Sequence, residues 1–267
     1  TTTVDGQSYS FVNNADVSIN PIDSVYKFSN LVVYEGSYLN YKYTANTSDI
    51  DQRFIIPNDS VDTTTLTVKI QESSSDSTTK TWSLATGITG IDDESEVYFL
   101  QEVEGGRFEV YFGDGVMGKA IADGNIVILD YINTNRDAPN GATSFTLSGT
   151  VGGFSSATVT TISNASGGTG LESITSIKYN APRDYSAQDR AVTAEDYKTL
   201  VKGLYANAQS VQVYGGEDAA VPDYGKVYIS IKAKSGSNLT VATKESIVTS
   251  LKTYAVASVT PVIIDPE

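Results

Sequence analysis

The chain has 267 residues, with 32 acidic and 18 basic side chains, a formal net charge of −14, no cysteine and no histidine. It therefore cannot form a disulfide, a cysteine zinc site or a conventional Ser/His or Cys/His catalytic pair. Its lysines and arginines are scattered and outnumbered, and no apolar run approaches the roughly 20 residues of a membrane span, so we expect no nucleic-acid and no membrane partner.

The opening TTTVDG lacks an initiator methionine, which suggests a piece of a longer polypeptide. The first half consists of short runs rich in β-branched and aromatic residues, separated by Gly, Asn, Asp, Pro or Ser, a pattern typical of strands. The predicted strands are Leu31–Tyr34, Tyr38–Tyr43, Arg53–Ile56, Thr65–Ile70, Lys80–Leu84, Val97–Gln101, Phe108–Phe112 and Ile126–Ile132. They predict a β-rich N-terminal domain, a sandwich or barrel-like structure, over residues 1–150.

Two side features of this domain follow from the same pattern. The polar stretch Ser73–Thr78 predicts a hairpin tip, because short polar residues favour turns. Trp82, just beyond the tip, is expected to pack in the core rather than to stack on a ligand.

The stretch GDGVMGKA, residues 113–120, matches most of the phosphate-binding pattern GxxxxGK[ST]. Ala120 stands where Ser or Thr would hold magnesium, and the residues that follow predict a strand instead of the helix that such a loop opens. Asp114 would also place a negative charge beside any phosphate. We therefore predict no nucleotide or other cofactor site, but a tight connection between strands in which Gly113 and Gly115 supply positive φ angles.

Oxygen-bearing side chains occur in two stretches that could ligate calcium. One is an acidic cluster at residues 92–96, and the other has Asn133, Asn135 and Asp137 at alternate positions. Ala138 stands where a calcium loop needs glycine, and Ser144 where it needs a bidentate Glu. Solvated acidic turns are favoured and no metal site is predicted, although a structural calcium or magnesium ion stays an open alternative.

Residues 150–170, TVGGFSSATVTTISNASGGTG, are dominated by Gly, Ser and Thr. At most one hairpin fits there before a glycine-rich joint, so residues 151–170 are predicted to be a hairpin or linker between two domains.

Leu171, Ile174 and Ile177 begin the apolar period of a helix. Pro182 should end that helix near Asn180, because proline lacks an amide donor and disfavours helical angles in the residue before it. The following arm, residues 183–192, is then predicted to be extended. Its charged side chains, expected to be solvated or mutually paired, are Arg183, Asp184, Asp189 and Arg190.

Thr193, followed three residues later by Asp196, predicts the capped start of a second helix. Strand-like residues 210–214 and 226–232, a helix containing Ile247 and Leu251, and a strand at 258–264 follow. The order helix, strand, strand, helix, strand predicts a small α+β sandwich over residues 171–267, with one sheet face open to a partner.

Residues 177–201, IKYNAPRDYSAQDRAVTAEDYKTLV, resemble the arm and helix of the baseplate J-like family, the wedge proteins of contractile phage tails and related injection machines. Residues 99–141 carry that family's aromatic-FGDG, G-K, DG-V and NG series in the same order. Residues 27–36 and 51–62 are more loosely similar, and residues 150–170 match nothing in it.

The resemblance implies a structural subunit, not an enzyme, located in the virion tail baseplate after assembly in the host cytoplasm. Wedge proteins of this kind join neighbouring wedges into a ring around the central hub. The implied partners are other copies of the chain, as a dimer or ring, and other baseplate wedge proteins.

Two other classes of function stay open from the residues alone. An acidic, Ser- and Thr-rich β protein could be a receptor- or carbohydrate-binding module of a tail fibre, although a single tryptophan offers little for sugar stacking. An enzyme that uses only carboxylates or a metal would need a deep cleft with a perturbed acid pair.

Overall fold

The computed structural model describes residues 1–266 except Ser24, Ile50, Ile88, Thr89, Ser156, Asp189, Ala206, Ala220 and residues 235–237. The expectation about Asp189 therefore lies outside the described residues. The chain is mainly β, with 35% strand and 15% helix, as predicted. It divides into two compact units, unit 1 (Thr1–Asn135) and unit 2 (Arg136–Glu267). No helix among the described residues is long and apolar enough to cross a membrane.

Unit 1 is built from short and long strands. They are β1 (Thr2–Val4), β2 (Gln7–Tyr9), β3 (Phe11–Val12), β4 (Tyr34–Glu35), β5 (Ser37–Thr44), β6 (Phe54–Ile55), β7 (Val61–Ser73), β8 (Asp76–Leu84), β9 (Val97–Val103), β10 (Arg107–Phe112) and β11 (Ile126–Asn133). Strands β1 and β2 form one hairpin, and β3 pairs with β4. The other seven form one nearly closed sheet in the order β5-β11-β7-β8-β9-β10-β6.

The core of unit 1 lies on one face of this sheet. Its fully buried side chains include Phe54, Val68, Val110, Leu129 and Tyr131. Strand β11 lies between β5 and β7 and is buried along almost its whole length. Trp82 is only 5% exposed and packs in the same core, which confirms the prediction for this residue.

The N-terminal region differs from the prediction in two ways. Leu31, Val32 and Val33 were expected to form a strand, but only Tyr34–Glu35 pairs with a neighbour, and the three apolar residues are exposed. A branched apolar run becomes a strand only where another strand offers it hydrogen bonds. The β1–β2 hairpin was not predicted, although its Asp5-Gly6 turn, with φ angles of 48° and 81°, is a sequence signal for such hairpins.

Unit 2 contains three α-helices and a three-stranded sheet among its described residues. They are α1 (Ile174–Ala187), α2 (Ala194–Leu204), β12 (Ala208–Gly215), a 3-10 turn (Gly216–Asp218), β13 (Lys226–Ala233), α3 (Val241–Leu251) and β14 (Thr260–Ile264). Strand β13 lies in the middle, antiparallel to β12 and parallel to β14. Ile229 and Ile231 of β13 pack with Val201 of α2 and Leu251 of α3, so the predicted α+β arrangement is present.

Helix α1 corrects the predicted extended arm. It continues through Pro182 to Ala187, with Gln188 in the left-handed conformation as its C-cap. Pro182 removes one helical hydrogen bond, but most of α1 is exposed, so water can satisfy the carbonyl that loses its donor. One turn further along α1, the hydroxyl of Ser186 donates to a different carbonyl, that of Pro182, at 2.7 Å. The prediction treated a bias against helical angles as a stop signal, and it was wrong for residues 183–187.

Candidate interaction surfaces

The turn at residues 113–118 follows β10 and forms the first part of the connection to β11. A Cβ on Gly113 would lie 2.2 Å from the carbonyl oxygen of Gly118, so only glycine fits there. Gly113 does not have a positive φ, contrary to the prediction, whereas Gly115 does, at 84°. Close approach of two backbone segments, and not φ, is therefore the reason for the first glycine.

Asp114 holds this turn from within. Its Oδ1 accepts hydrogen bonds from the amides of Val116 at 2.9 Å and Met117 at 3.0 Å. These backbone hydrogen bonds lower the pKa of Asp114 below its ordinary value. The carboxylate is thus a structural acceptor inside the turn, and the chain continues into β11 with no helix N-terminus that could receive a phosphate.

The acidic cluster beside this turn is paired with a cation of the chain. Lys119 Nζ lies 3.3 Å from Glu94 and 3.7 Å from Glu96. In the second proposed calcium stretch, the backbone amide and side-chain amide of Asn135 donate to the Glu35 carboxylate at 2.8 and 2.7 Å. Within the part of the chain that the structure describes, no group of three or more acidic side chains could hold a metal ion.

Thr193 and Asp196 form the capping box of α2. The amide of Asp196 donates to Thr193 Oγ1 at 3.2 Å, and Asp196 Oδ2 accepts from the Thr193 amide at 2.8 Å. The hydrogen bond from the Thr193 backbone, together with other bonds, lowers the pKa of Asp196. The helix starts where the sequence predicts, and its first turn fixes the direction in which α2 packs on the sheet.

The predicted motif residues belong to two different units. Gly113, Asp114 and Gly115 belong to unit 1, whereas Pro182, Thr193 and Asp196 belong to unit 2, where Pro182 lies inside α1 and the other two begin α2. All six shape the backbone. Their arrangement provides well-positioned turns and helix ends, and the chemistry of the surface depends on other residues.

A shallow polar pocket of about 260 Å³ lies in unit 2. Its lining residues are Asp137, Asn140, Gly168, Thr169, Gly170, Asn207 and Lys234. The side chain of Asn140 is already engaged, because it donates to the Gly168 carbonyl at 2.7 Å and accepts from the Gly168 amide at 3.1 Å. The pocket is therefore partly closed by a structural link between two loops of this unit.

The connection between β3 and β4 is the first large apolar surface. We call it the 13–33 loop; its described residues contain one isolated pair, between Ile22 and Val25, and no longer strand. Its exposed apolar side chains are Val17, Ile22, Val25, Tyr26, Phe28, Leu31, Val32 and Val33. Eight exposed apolar side chains within one connection are more than scattered surface residues require, and such groups are characteristic of protein contacts.

Helix α1 provides the second surface. Ser176, Asn180 and Ala187 are its less exposed residues and define the side turned towards the rest of unit 2. Ile174, Ile177 and Tyr185, spaced by three and eight residues, follow the helical period on a different side and are exposed. The apolar stripe of α1 therefore has no described partner within its own unit.

The third surface is the loop between β12 and β13, residues 216–225. It presents the side chains of Val221 and Tyr224, which are 81% and 80% exposed. From the sequence, these residues are only the connection between the predicted strands 210–214 and 226–232. The signal that could have identified this surface is the presence of Val221 and Tyr224 on either side of the loop proline. Apolar and aromatic residues in a loop are typical of binding contacts.

Comparison with known proteins gives the context for these surfaces. Residues 193–264 match the family described as baseplate structural protein gp6, C-terminal domain I. The chain is 30% identical over 195 residues to the baseplate wedge protein gp6 of Enterobacteria phage T4, a match that covers 64% of this chain and 29% of that protein. The chain thus spans less than a third of the length of this curated relative.

A solved structure gives a weaker similarity. A chain in the cryo-EM structure of the anti-feeding prophage baseplate is 12% identical, with a TM-score of 0.30, over 86% of this chain and 58% of that chain. A TM-score this low carries no argument about fold or function. The two sequence matches show that the chain is similar to a baseplate wedge protein and that residues 193–264 are similar to C-terminal domain I of gp6.

Proposed function

We propose that this chain is a structural subunit of a phage tail baseplate wedge, related to the baseplate J-like family, that joins neighbouring wedges into a ring around the hub. The observation that carries the proposal is the 30% identity to a baseplate wedge protein, together with the family match over residues 193–264. The chain would then act in the virion tail baseplate, after assembly in the host cytoplasm, through protein contacts instead of catalysis.

The distribution of apolar surface supports this role. A subunit of a ring must contact two neighbours, and each durable contact buries apolar side chains with aromatic anchors. The 13–33 loop offers Tyr26 and Phe28 in unit 1, and α1 offers Tyr185 in unit 2. Each unit therefore has an aromatic-containing surface available for a partner, either another copy of the chain or another wedge protein.

Assembly mass is the direct test. The full-length protein is co-expressed with the other baseplate proteins of the same phage, and the mass of the purified complexes is measured. We expect complexes that contain more than one copy of the chain, and we expect Tyr26→Ser combined with Phe28→Ser to reduce their yield. A protein that stays monomeric beside all its neighbours would contradict the proposal.

The alternative, a receptor- or carbohydrate-binding module of a tail fibre, has less support. Trp82, the single tryptophan, packs edge-on against Phe112 with ring centroids 5.2 Å apart and is buried in the core. It cannot stack on a sugar. Binding to a glycan array, with no co-assembly with wedge proteins, would favour this alternative.

The division of the chain into residues 1–150, 151–170 and 171–267 is also a proposal. It predicts that limited proteolysis cuts within 151–170 and leaves the flanking segments intact. Cleavage elsewhere, with 151–170 protected, would place the linker at another position.

A further inference from the structure

The two ends of the 216–225 loop are held against each other at Gly216 and Asp223. The Asp223 amide donates to the Gly216 carbonyl at 2.9 Å, which closes the loop at its base. A Cβ on Gly216 would overlap the Asp223 carbonyl oxygen, so the two backbone segments are in direct contact. Lys226 Nζ and the Tyr228 hydroxyl also hold Asp223, at 2.7 and 3.1 Å from its Oδ2. Asp223, the residue before Tyr224, is therefore held by four contacts, which lowers the conformational entropy that the backbone next to Tyr224 loses on binding.

The side chains that this loop exposes combine two chemistries. Val221 and Tyr224 are its exposed apolar residues, and Glu217 and Asp218 are its exposed acids. Among the described residues, neither of these carboxylates forms an ion pair with a lysine or arginine. Lys226, the lysine at the end of this loop, pairs with Asp223 instead. We call Glu217, Asp218, Val221 and Tyr224 the acidic loop surface.

We propose that the acidic loop surface binds an apolar pocket with a lysine- or arginine-rich rim on a different baseplate protein. The inference rests on the proposed function, because it names a partner for the same assembly role. A tyrosine that enters a pocket buries a large rigid area at small entropic cost, which makes Tyr224 the anchor. The negative charges of Glu217 and Asp218 favour a partner whose pocket is surrounded by lysine or arginine.

Charge also argues against a second copy of the chain as this partner. The chain carries 32 acidic and 18 basic residues, so its own surface repels an acidic loop on average. A partner with a basic rim would attract the acidic loop instead, and this attraction would accelerate association. The structure thus favours a contact between unlike proteins at this loop.

Photocrosslinking tests the proposal in the assembled baseplate. Tyr224→p-benzoylphenylalanine is introduced into the full-length protein, which is co-expressed with its baseplate neighbours and irradiated. We expect a crosslink to another baseplate protein, in a peptide that contains apolar residues and Lys or Arg. Val241, also exposed in unit 2, is the matched position and should give no crosslink to that peptide.

Two outcomes would overturn the inference while leaving the proposed function intact. One is normal assembly with no crosslink from position 224, and the other is a crosslink to a second copy of this chain. Failure of the protein to assemble at all would instead overturn the proposed function and, with it, the inference.

Substitutions give an independent readout with the crosslinked partner. Tyr224→Ser should weaken its binding at least about tenfold, and Val241→Ser should leave it unchanged. Glu217→Lys with Asp218→Lys should slow association about tenfold at low salt, and this difference should shrink as salt screens the charges. Equal binding by the charge variant and the unmodified protein at low salt would contradict the basic rim.

Discussion

The hydroxyl of Tyr43 in β5 donates a hydrogen bond to the backbone carbonyl of Ile55 in β6, and this bond joins the two end strands of the seven-stranded sheet. Aromatic contacts continue from it into the core. Tyr43 packs against Phe54, Phe54 against Phe112, and Phe112 against Trp82, with ring centroids 5.2 to 5.6 Å apart. Burial raises the pKa of Tyr43, so its hydroxyl keeps the proton that it donates.

Tyr43→Phe should lower the free energy of unfolding by about 1 kcal/mol, because the variant loses this bond and leaves the Ile55 carbonyl without its donor. Urea unfolding of both proteins measures the difference. Tyr41→Phe is the control, since the Tyr41 side chain is exposed in the same strand and should change stability little. Equal effects of the two substitutions would show that the bond does not contribute.

The pair Lys69 and Asp130 should respond unequally to the loss of either partner. Lys69 Nζ lies 2.8 Å from Asp130 Oδ2, and the side chains are 34% and 6% exposed. Lys69→Met leaves a buried carboxylate with neutral donors, the Asn40 amide and the Tyr38 hydroxyl, but no cation, and should cost about 2 kcal/mol. Asp130→Asn should cost less, because the Lys69 ammonium can turn to water. Chemical denaturation of both variants checks the order.

The pH dependence of this pair follows from Lys69. The hydrogen bond to Asp130 raises the pKa of Lys69 above its ordinary value. Its contribution is therefore complete below the unfolded pKa of about 10.4 and is lost as pH rises through the folded pKa. The cost of Lys69→Met should be constant between about pH 7 and pH 9; a steep decline in that window would contradict this assignment.

The capping box of α2 predicts an acid-sensitive contribution. Thr193→Ala should cost about 1 kcal/mol at neutral pH. The pKa of Asp196 is lowered in the folded state, so its stabilisation is present above the unfolded value of about 3.9 and is lost as pH falls through the folded value. The stability difference between the unmodified protein and Asp196→Asn should thus shrink between about pH 7 and pH 3, as thermal unfolding will show.

Gly113→Ala should destabilise unit 1 by about 2 to 3 kcal/mol, because the new methyl group overlaps the carbonyl oxygen of Gly118. Gly149 provides a contrast, since it has open space at its Cβ position and no positive φ. Gly149→Ala should be neutral or stabilising by up to about 1 kcal/mol. Equal effects in a thermal melt would show that the 113–118 turn adapts to a side chain.

Pro182→Ala tests the helical path through residues 183–187. Because Pro182 lies inside α1, alanine restores one backbone hydrogen bond and should raise helix content and stability by up to about 3 kcal/mol. Circular dichroism and urea unfolding measure the two changes. An unchanged spectrum would instead support the extended arm that the sequence favours.

Elements with a strong period or a two-sided environment were predictable. The near-continuous apolar run of β11 matches a strand buried between neighbours, and Thr193 with Asp196 begins α2 by a hydrogen-bond pattern contained within four residues. The structures at Leu31–Val33 and at Pro182 were not predictable. Residues 31–33 pair with no described strand, and the helix continues through Pro182 because water reaches its exposed side. Local preference decides structure only where the surroundings do not compete.

The exposed residues of the interaction surfaces were the least predictable. Val221 and Tyr224 have the composition of core residues, and nothing in their spacing shows which side of the loop meets solvent. Burial is a property of the tertiary arrangement, so it had to come from the structure.

The position of β11 in the sheet constrains how unit 1 is made. This strand comes last in the sequence of the sheet, yet it lies between β5 and β7, which precede it by many residues. During synthesis, β5 and one edge of β7 therefore have unpaired backbone hydrogen-bonding groups until residues 126–133 leave the ribosome. Nascent chains with such unpaired strand edges are prone to aggregate. Chains that stop before residue 126 should accordingly accumulate as insoluble material or be taken up by chaperones.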